Sequence, residues 1–259
     1  MINKFVILDT ETGGLTALLN PIISINLMVC RREPFAVLDT FHLKIEPPPG
    51  TLLQHSLPGD TSYNPPVTHL TDVNGKTYTC TDKGVPHDLN LVNNPVITSG
   101  AARVNGFTWE TWADKGVDAA VADQTYVGHI NTWFDRKPVV YAHNESFDAK
   151  YVRTYLPRLY TAVQSPWMCT MLLYRNYMTR HGEKHSAKLT EIAKRVNDDP
   201  STPAYGMLKT ATGSVIDRAH DAAADTIMCY AALIWLATKD GDLRVFPAEM
   251  PDEGSFDRT

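Results

Sequence analysis

The sequence predicts an α/β domain that carries a long irregular insertion. Three β-rich segments lie before Glu46, and a later short strand leads directly into a helix. Between these regions lies a proline-rich stretch that lacks helical periodicity. A chain of 259 residues with 43% hydrophobic residues can bury a core of this kind.

The first three strands are predicted from apolar and β-branched runs at hairpin spacing. These runs are Lys4 to Thr10, Ile22 to Cys30 and Ala36 to Ile45. The stretch from about Pro47 to Thr98 is predicted to be irregular, with room for one hairpin, because only Lys76 to Cys80 looks like a strand. We expect this insertion to be peripheral to the chemistry and to extend from the sheet edge, where it covers that edge or shapes access for a substrate or a partner.

The second half of the chain is predicted to be mainly helical around one compact strand, Pro138 to Ala142. The predicted helices are Thr108 to Trp112, Val117 to Phe134, Ser146 to Leu156, Cys169 to Met178, Lys188 to Val196 and Ala219 to Thr238. The domain is therefore expected to span residues 1–240, interrupted by the insertion. Residues 241–259 are expected to form a loosely held acidic tail.

Composition excludes several classes of protein. The net charge of −5 argues against a protein that coats nucleic acid through a basic surface, but not against an enzyme that binds it at one small site. Four scattered cysteines without a Cys-x-x-Cys pair argue against a zinc site or a disulfide framework. With no membrane-spanning run and no export signal, we expect a cytoplasmic protein without membrane contact.

The first candidate motif, Asp-Thr-Glu-Thr-Gly-Gly-Leu, begins at Asp9. Alternate side chains of a strand share a face, so Asp9 and Glu11 would project together at the strand end. Paired carboxylates suit hard cations such as Mg²⁺ or Mn²⁺, and Gly13 and Gly14 would allow a sharp turn beside a ligand. The alternative is a solvated strand end that leads into a turn.

The second candidate motif, His-Asn-Glu-Ser-Phe-Asp, runs from His143 to Asp148 and joins a strand to a helix. Such junctions are common functional sites in open α/β sheets. Asn144 could cap the helix, and Asp148, one turn later, could face the same cleft. The alternative is an N-capped helix in which Asp148 only favours the helix dipole.

The third candidate motif, His-Asp-Ala-Ala-Ala-Asp, runs from His220 to Asp225. Five residues of a helix turn through about 140°, so His220 and Asp225 cannot share one regular helical face. We expect Asp225 within the helix and His220 on the loop or first turn ahead of it, with Asp221 as a first-turn acid. The alternative is a capping histidine and an exposed aspartate.

In this order, the three motifs resemble those of the DEDDh family of 3′–5′ exonucleases, which includes the proofreading epsilon subunit of bacterial DNA polymerase III. Two framing segments, Ala101 to Thr108 and Cys169 to Leu173, are similar to that family as well. The insertion and the tail have no counterpart. The resemblance implies a ribonuclease H-like fold, a mixed five-stranded sheet flanked by helices.

The resemblance also implies an active site in which four acids hold two divalent cations, Mg²⁺ or Mn²⁺. Carried over residue by residue, the acids are Asp9, Glu11, Asp148 and Asp225, and the general base is His220. The implied substrate contacts are Thr12, Gly13, Leu15 as a wedge beside the last base, Asn144 at the phosphate backbone and Phe147 by stacking. Phe147 could equally pack its helix, and Asn144 could simply cap it.

The implied activity is stepwise release of 5′-mononucleotides from a free 3′ end, with single-stranded DNA as the expected substrate. One alternative is an exonuclease for RNA or short oligoribonucleotides, because the motifs do not separate the two polymers. The other is a non-catalytic binding module, although all five catalytic positions hold the expected residue type. Proofreading would need a polymerase or another replication or repair protein as a partner.

Overall fold

The computed structural model describes residues 3–57, 67–80, 94–112, 115–164, 166–184, 186–210, 213–218, 220–241 and 245–246. In chain order the elements are β1 (Lys4–Thr12), β2 (Ile22–Arg31), β3 (Ala36–Ile45), β4 (Leu52–Ser56), β5 (Val67–Thr71), β6 (Thr77–Thr79), β7 (Val96–Ile97), α1 (Ser99–Asn105), α2 (Trp109–Trp112), β8 (Gly116–Val117), α3 (Ala119–Trp133), β9 (Val140–Ala142), α4 (Glu145–Tyr155), α5 (Pro157–Ala162), β10 (Met168–Cys169), α6 (Thr170–Arg180), α7 (Leu189–Asn197), β11 (Lys209–Thr210), β12 (Gly213–Ser214) and α8 (Ala222–Lys239).

A mixed sheet in the order β10-β9-β1-β2-β3-β8 forms the centre of the molecule. Strands β1, β2 and β3 are antiparallel neighbours, as predicted, whereas β9 and β10 add to β1 in parallel. The α/β class is therefore confirmed. The sheet has six strands where the resemblance implied five, because the two residues of β8 pair with the end of β3 at the edge.

Alternation along β1 directs side chains to two helical layers. Phe5 and Ile7 face the layer that contains α6, α7 and α8, whereas Val6 and Leu8 face α3, α4 and α5. All four side chains are buried. By the same alternation, Asp9 and Glu11 of β1 point towards the layer that contains α8.

The insertion is not irregular where the structure describes it, which corrects the sequence expectation. Strands β4 to β7 form a second sheet in the order β6-β5-β4-β7. Leu52, Leu70 and Val96 form its small buried cluster. These strands have two to five residues each, so they are too short to show a clear alternation, and their pairing joins distant segments. Residues 58–66 and 81–93 lie outside the described residues.

Two residues of the expected tail pack against the core. The carbonyl oxygen of Val245 accepts a hydrogen bond of 2.8 Å from the Tyr141 hydroxyl, and Val245 is buried. The Phe246 ring lies 5.1 Å from that of Phe5. The chain is thus held at these two positions, and the remainder of the tail after Gly241 lies outside the described residues. Among the helices that the structure describes, none has the length and apolarity needed to cross a membrane.

Candidate metal centre

Three of the four predicted acids come together where β1 meets the start of α8. Asp9 and Glu11 project from the same face of β1, and Asp225 lies in the first turn of α8. One carboxylate oxygen from each of the three lies within 4.8 Å of the others. Oxygen ligands at this spacing suit a hard divalent cation such as Mg²⁺ or Mn²⁺.

Asp148, the fourth acid, approaches β1 from α4. Its side chain is 2% exposed, and its Oδ1 atom accepts two hydrogen bonds from Thr10: one from the backbone N–H at 2.9 Å and one from the hydroxyl at 2.7 Å. Asp148 is not one of the three mutually close acids, but Thr10 lies between Asp9 and Glu11 on the strand. The bonds therefore hold the fourth carboxylate beside the other three.

Burial and mutual repulsion make the four carboxylates resist ionisation when no cation neutralises them. Burial, followed by the negative charge of Asp225, raises the pKa of Glu11 to about 9. Burial is also the main cause that raises the pKa of Asp148 and that of Asp225 to about 7, and it raises the pKa of Asp9 well above its usual range. Two divalent cations would supply the missing positive charge. The acids present therefore fit the predicted pair of ions.

His220 lies ahead of α8, as the sequence predicted. It adopts a left-handed backbone conformation with φ 69°, and its N–H donates to Oδ1 of Asp225 at 3.2 Å. Its exposed side chain lines the same cavity as Asp9 and Asp225. Asp221 is the N-cap of α8 rather than a first-turn acid, because its carboxylate accepts the N–H groups of the second and third helical residues.

His143, the nearest competing histidine, is committed to packing. Its Nδ1 lies 3.0 Å from the Thr170 hydroxyl, and its Nε2 lies 3.0 Å from the carbonyl oxygen of Ala187. Burial lowers its pKa to about 4, so the ring is neutral. Both ring nitrogens are occupied, which leaves His220 as the histidine of this cavity with an exposed side chain.

The turn after β1 places one of its three proposed substrate contacts at the surface. Leu15 is 58% exposed on this turn. Thr12 is buried, and its hydroxyl donates to the carbonyl oxygen of Gly14 at 2.7 Å. Gly13 is also buried, its N–H donates to Pro21 and its carbonyl accepts from Thr98. The polar groups of Thr12 and Gly13 are therefore engaged within the protein.

Packing within the protein requires the glycines of this turn. A Cβ atom at Gly13 would lie 2.8 Å from Cδ of Pro21, and one at Gly14 would lie 2.6 Å from Cγ of Asn20. Both distances are too short for real contacts, so a side chain at either position would push the turn away from residues 20–21.

Two predicted contacts on α4 differ in their surroundings. Asn144 is exposed and left-handed, with φ 64°, and its side chain makes no capping hydrogen bond, so the expectation of a side-chain cap is wrong. Phe147 is half-buried, and its ring centroid lies 4.9 Å from that of Tyr151. Its contacts match the helix-packing alternative, because the ring already rests on its own helix.

The sequence does not reveal a link between strand and helix that lies beside the acids. Asn26 of β2 is the register partner of Asp9, and its Nδ2 donates to the Thr226 hydroxyl at 2.6 Å. Asn26 and Thr226 are both fully buried, and Thr226 follows Asp225 in α8. The bond therefore fixes the helix acid relative to the strand acids. Only the β1–β2 register places Asn26 there, and no sequence motif marks it.

Comparisons with known proteins bear on the fold. No protein-family model and no curated protein sequence matches the chain. Among solved structures, Escherichia coli exonuclease I bound to single-stranded DNA and zinc is similar with a TM-score of 0.57 at 15% identity, over 93% of this chain and 42% of that chain. Cell-death related nuclease 4 is similar with a TM-score of 0.53 at 13% identity, over 92% of this chain and 64% of that chain. The fold is ribonuclease H-like. The chain spans less than half the length of exonuclease I.

Removing the Thr10 hydroxyl should weaken metal binding. Thr10→Val deletes the 2.7 Å bond to Asp148 and keeps the shape of the side chain. Loss of a hydrogen-bond partner of a metal ligand typically costs about 10- to 100-fold in affinity or activity. Titration with Mn²⁺ by calorimetry measures this. Thr154→Val is the control, because its hydroxyl bonds only the backbone of α4; equal affinities in both variants would contradict this role for Thr10.

The metal-free protein should gain stability from the acid cluster as the pH falls. The folded state raises the pKa of Glu11 to about 9 and that of Asp148 and Asp225 to about 7, so it binds protons more tightly than the unfolded chain. This contribution is complete below the unfolded carboxyl pKa of about 4 and is lost as the pH rises through the folded values.

Melting curves in chelator at about pH 5 and about pH 8 test this expectation. Asp225→Asn carries no titrating charge at that position, so its melting temperature should fall less between the two pH values than that of the wild type. It should also be the more stable protein at the higher pH. Parallel shifts of both proteins would contradict the expectation.

Proposed function

We propose that the chain is a metal-dependent 3′–5′ exonuclease that hydrolyses nucleic acid, with single-stranded DNA as its substrate. One observation carries the proposal: three acids from two different elements lie within 4.8 Å of each other beside an exposed histidine. A fourth acid is bonded to the same strand. Similarity to two nucleases supports the choice of reaction, and one of those structures contains single-stranded DNA.

The proposed chemistry follows from the charges of the substrate. A phosphodiester is an anion, so an attacking water that loses its proton is repelled unless positive charge lies beside the phosphorus atom. Two divalent cations held by Asp9, Glu11, Asp148 and Asp225 would supply that charge and polarise the scissile bond. The acids themselves would bind the two cations and set the distance between them. Hydrolysis by this route requires no covalent intermediate on the protein.

His220 is proposed to accept the proton of the attacking water. Its side chain is exposed in the cavity, and its backbone N–H is bonded to Asp225, which keeps it next to a proposed cation ligand. Leu15 is proposed to meet the last base, because it is an exposed apolar side chain on the turn that follows Glu11. Asn144 is proposed to contact the phosphate backbone from the start of α4.

Activity should require a divalent cation and should shorten the 3′ end in single-nucleotide steps. We expect a product ladder from 5′-labelled single-stranded DNA with Mg²⁺ or Mn²⁺ and none with excess chelator. Asp225→Asn should abolish the ladder because it removes a proposed cation ligand. Asp135→Asn, an exposed acid on the loop after α3, is the control and should keep full activity.

Several results would reject this function. They are a ladder in chelator, cuts within a closed circular strand, or full activity of Asp225→Asn. RNA and duplex DNA in parallel reactions identify the preferred polymer, and a faster ladder on RNA would replace the DNA assignment with the ribonuclease alternative.

Loss of the His220 imidazole should slow turnover while cation binding persists. His220→Gly and His220→Asn both suit the left-handed backbone at this position, so they remove the base without adding strain. We expect turnover to fall by about two to four orders of magnitude, the usual scale for a general base. Free imidazole should restore part of the rate of His220→Gly, whose side-chain space is empty. Near-normal turnover in both variants would show that the base lies elsewhere.

A further inference from the structure

The cavity at the metal centre extends well beyond the acids. It has a volume of about 580 Å³ and is lined by Asp9, Asp225 and His220 on one side. Its other lining residues include Arg175 of α6 and Lys188, the residue before α7. Two cationic side chains therefore share a cavity with two of the proposed metal ligands.

Arg175 and Lys188 are both exposed residues that line this cavity. Within the described part of the chain, neither side chain has a hydrogen bond, ion pair or ring contact. Two other cations, in helices α7 and α8, are paired: Arg195 lies 2.6 Å from Glu183, and Lys239 lies 2.7 Å from Asp199. The two unpaired cations are available for an anion that enters the cavity.

The start of helix α7 also favours an anion beside these cations. Helix α7 has no side-chain cap, and its first residues, Leu189 and Thr190, also line the cavity. Unsatisfied N–H groups at a helix start add partial positive charge.

We propose that Arg175 and Lys188 form a subsite for a second phosphodiester of the substrate strand, on the 5′ side of the scissile group. This inference rests on the proposed exonuclease function. The scissile phosphate would lie at the acids, and the terminal nucleotide of a 3′ end carries no other phosphate. Any further phosphate within reach of the cavity therefore belongs to the preceding part of the strand.

The subsite predicts how the protein distinguishes its substrates. A phosphate contact carries no base information, so it strengthens binding equally for all sequences and makes it dependent on salt. It also favours an oligonucleotide over any substrate with a single phosphate. The chain would then select polymers over nucleotide esters through two residues that lie outside the metal centre.

The test compares two substrates in the wild type, Arg175→Gln and Lys188→Gln. One is single-stranded oligothymidylate, and the other is the p-nitrophenyl ester of thymidine 5′-phosphate, which has a scissile phosphate and no second one. We expect each variant to lower the ratio of kcat/KM between oligonucleotide and ester by about ten-fold, mainly through KM. The salt dependence of oligonucleotide binding should also lose about one unit of slope per variant.

Lys194→Gln is the matched control, because this exposed lysine of α7 pairs with Glu191 away from the cavity. A single uncharged methylphosphonate at each position of the oligonucleotide then locates the contact. One position on the 5′ side of the scissile phosphate should slow the wild type about ten-fold and have little further effect in Arg175→Gln or Lys188→Gln.

The outcomes separate the two proposals. If the wild type cleaves both substrates and the two variants keep the wild-type ratio, the subsite is wrong and the exonuclease function stands. If methylphosphonate scanning slows the variants as much as the wild type at every position, the subsite is likewise wrong. If the wild type with Mg²⁺ or Mn²⁺ cleaves neither substrate, the exonuclease function fails and the subsite falls with it.

Discussion

The carboxylate cluster, in which Asp148 is buried and the other three acids are half-buried, is the constraint on which the rest of this structure depends. Ionised acids within a few ångströms of each other repel, and burial removes the water that would screen them. The fold opposes that repulsion with short hydrogen bonds: Thr10 holds Asp148, and Asn26 holds the helix segment next to Asp225. The cluster is therefore held in a geometry in which ionisation of the carboxylates is unfavourable without a cation. The same geometry favours the binding of cations.

The parts of the site that follow local rules could be predicted from the sequence. Strand alternation was sufficient to place Asp9 and Glu11 on one face, and the helical angle was sufficient to separate His220 from the helix that carries Asp225. Asn26 could not be predicted in this way. Its role arises from strand register and from a helix that begins far along the chain, and these contacts exist only after folding.

The insertion shows a different limit of sequence reasoning. Its strands are short, so alternation could not reveal them, and its proline content favoured loops. The left-handed Asn144 shows a third limit, because an asparagine at a helix start suggests a cap although this one occupies a turn conformation instead. Backbone conformation, rather than residue type, decides between these two roles.

Strands β4 and β7 bring the two ends of the insertion together, since Leu52 pairs with Val96 in parallel register. The chain therefore leaves the body of the domain and returns to it at almost one point. Length added within the intervening segment, with β5 and the buried Leu70 kept in place, changes mainly a loop-closure entropy that grows slowly with loop size, about 0.6 kcal/mol for each doubling. Evolution or a protein engineer could insert a reporter domain or a tether into that segment while the pairing of β1, β2 and β3 stayed unchanged.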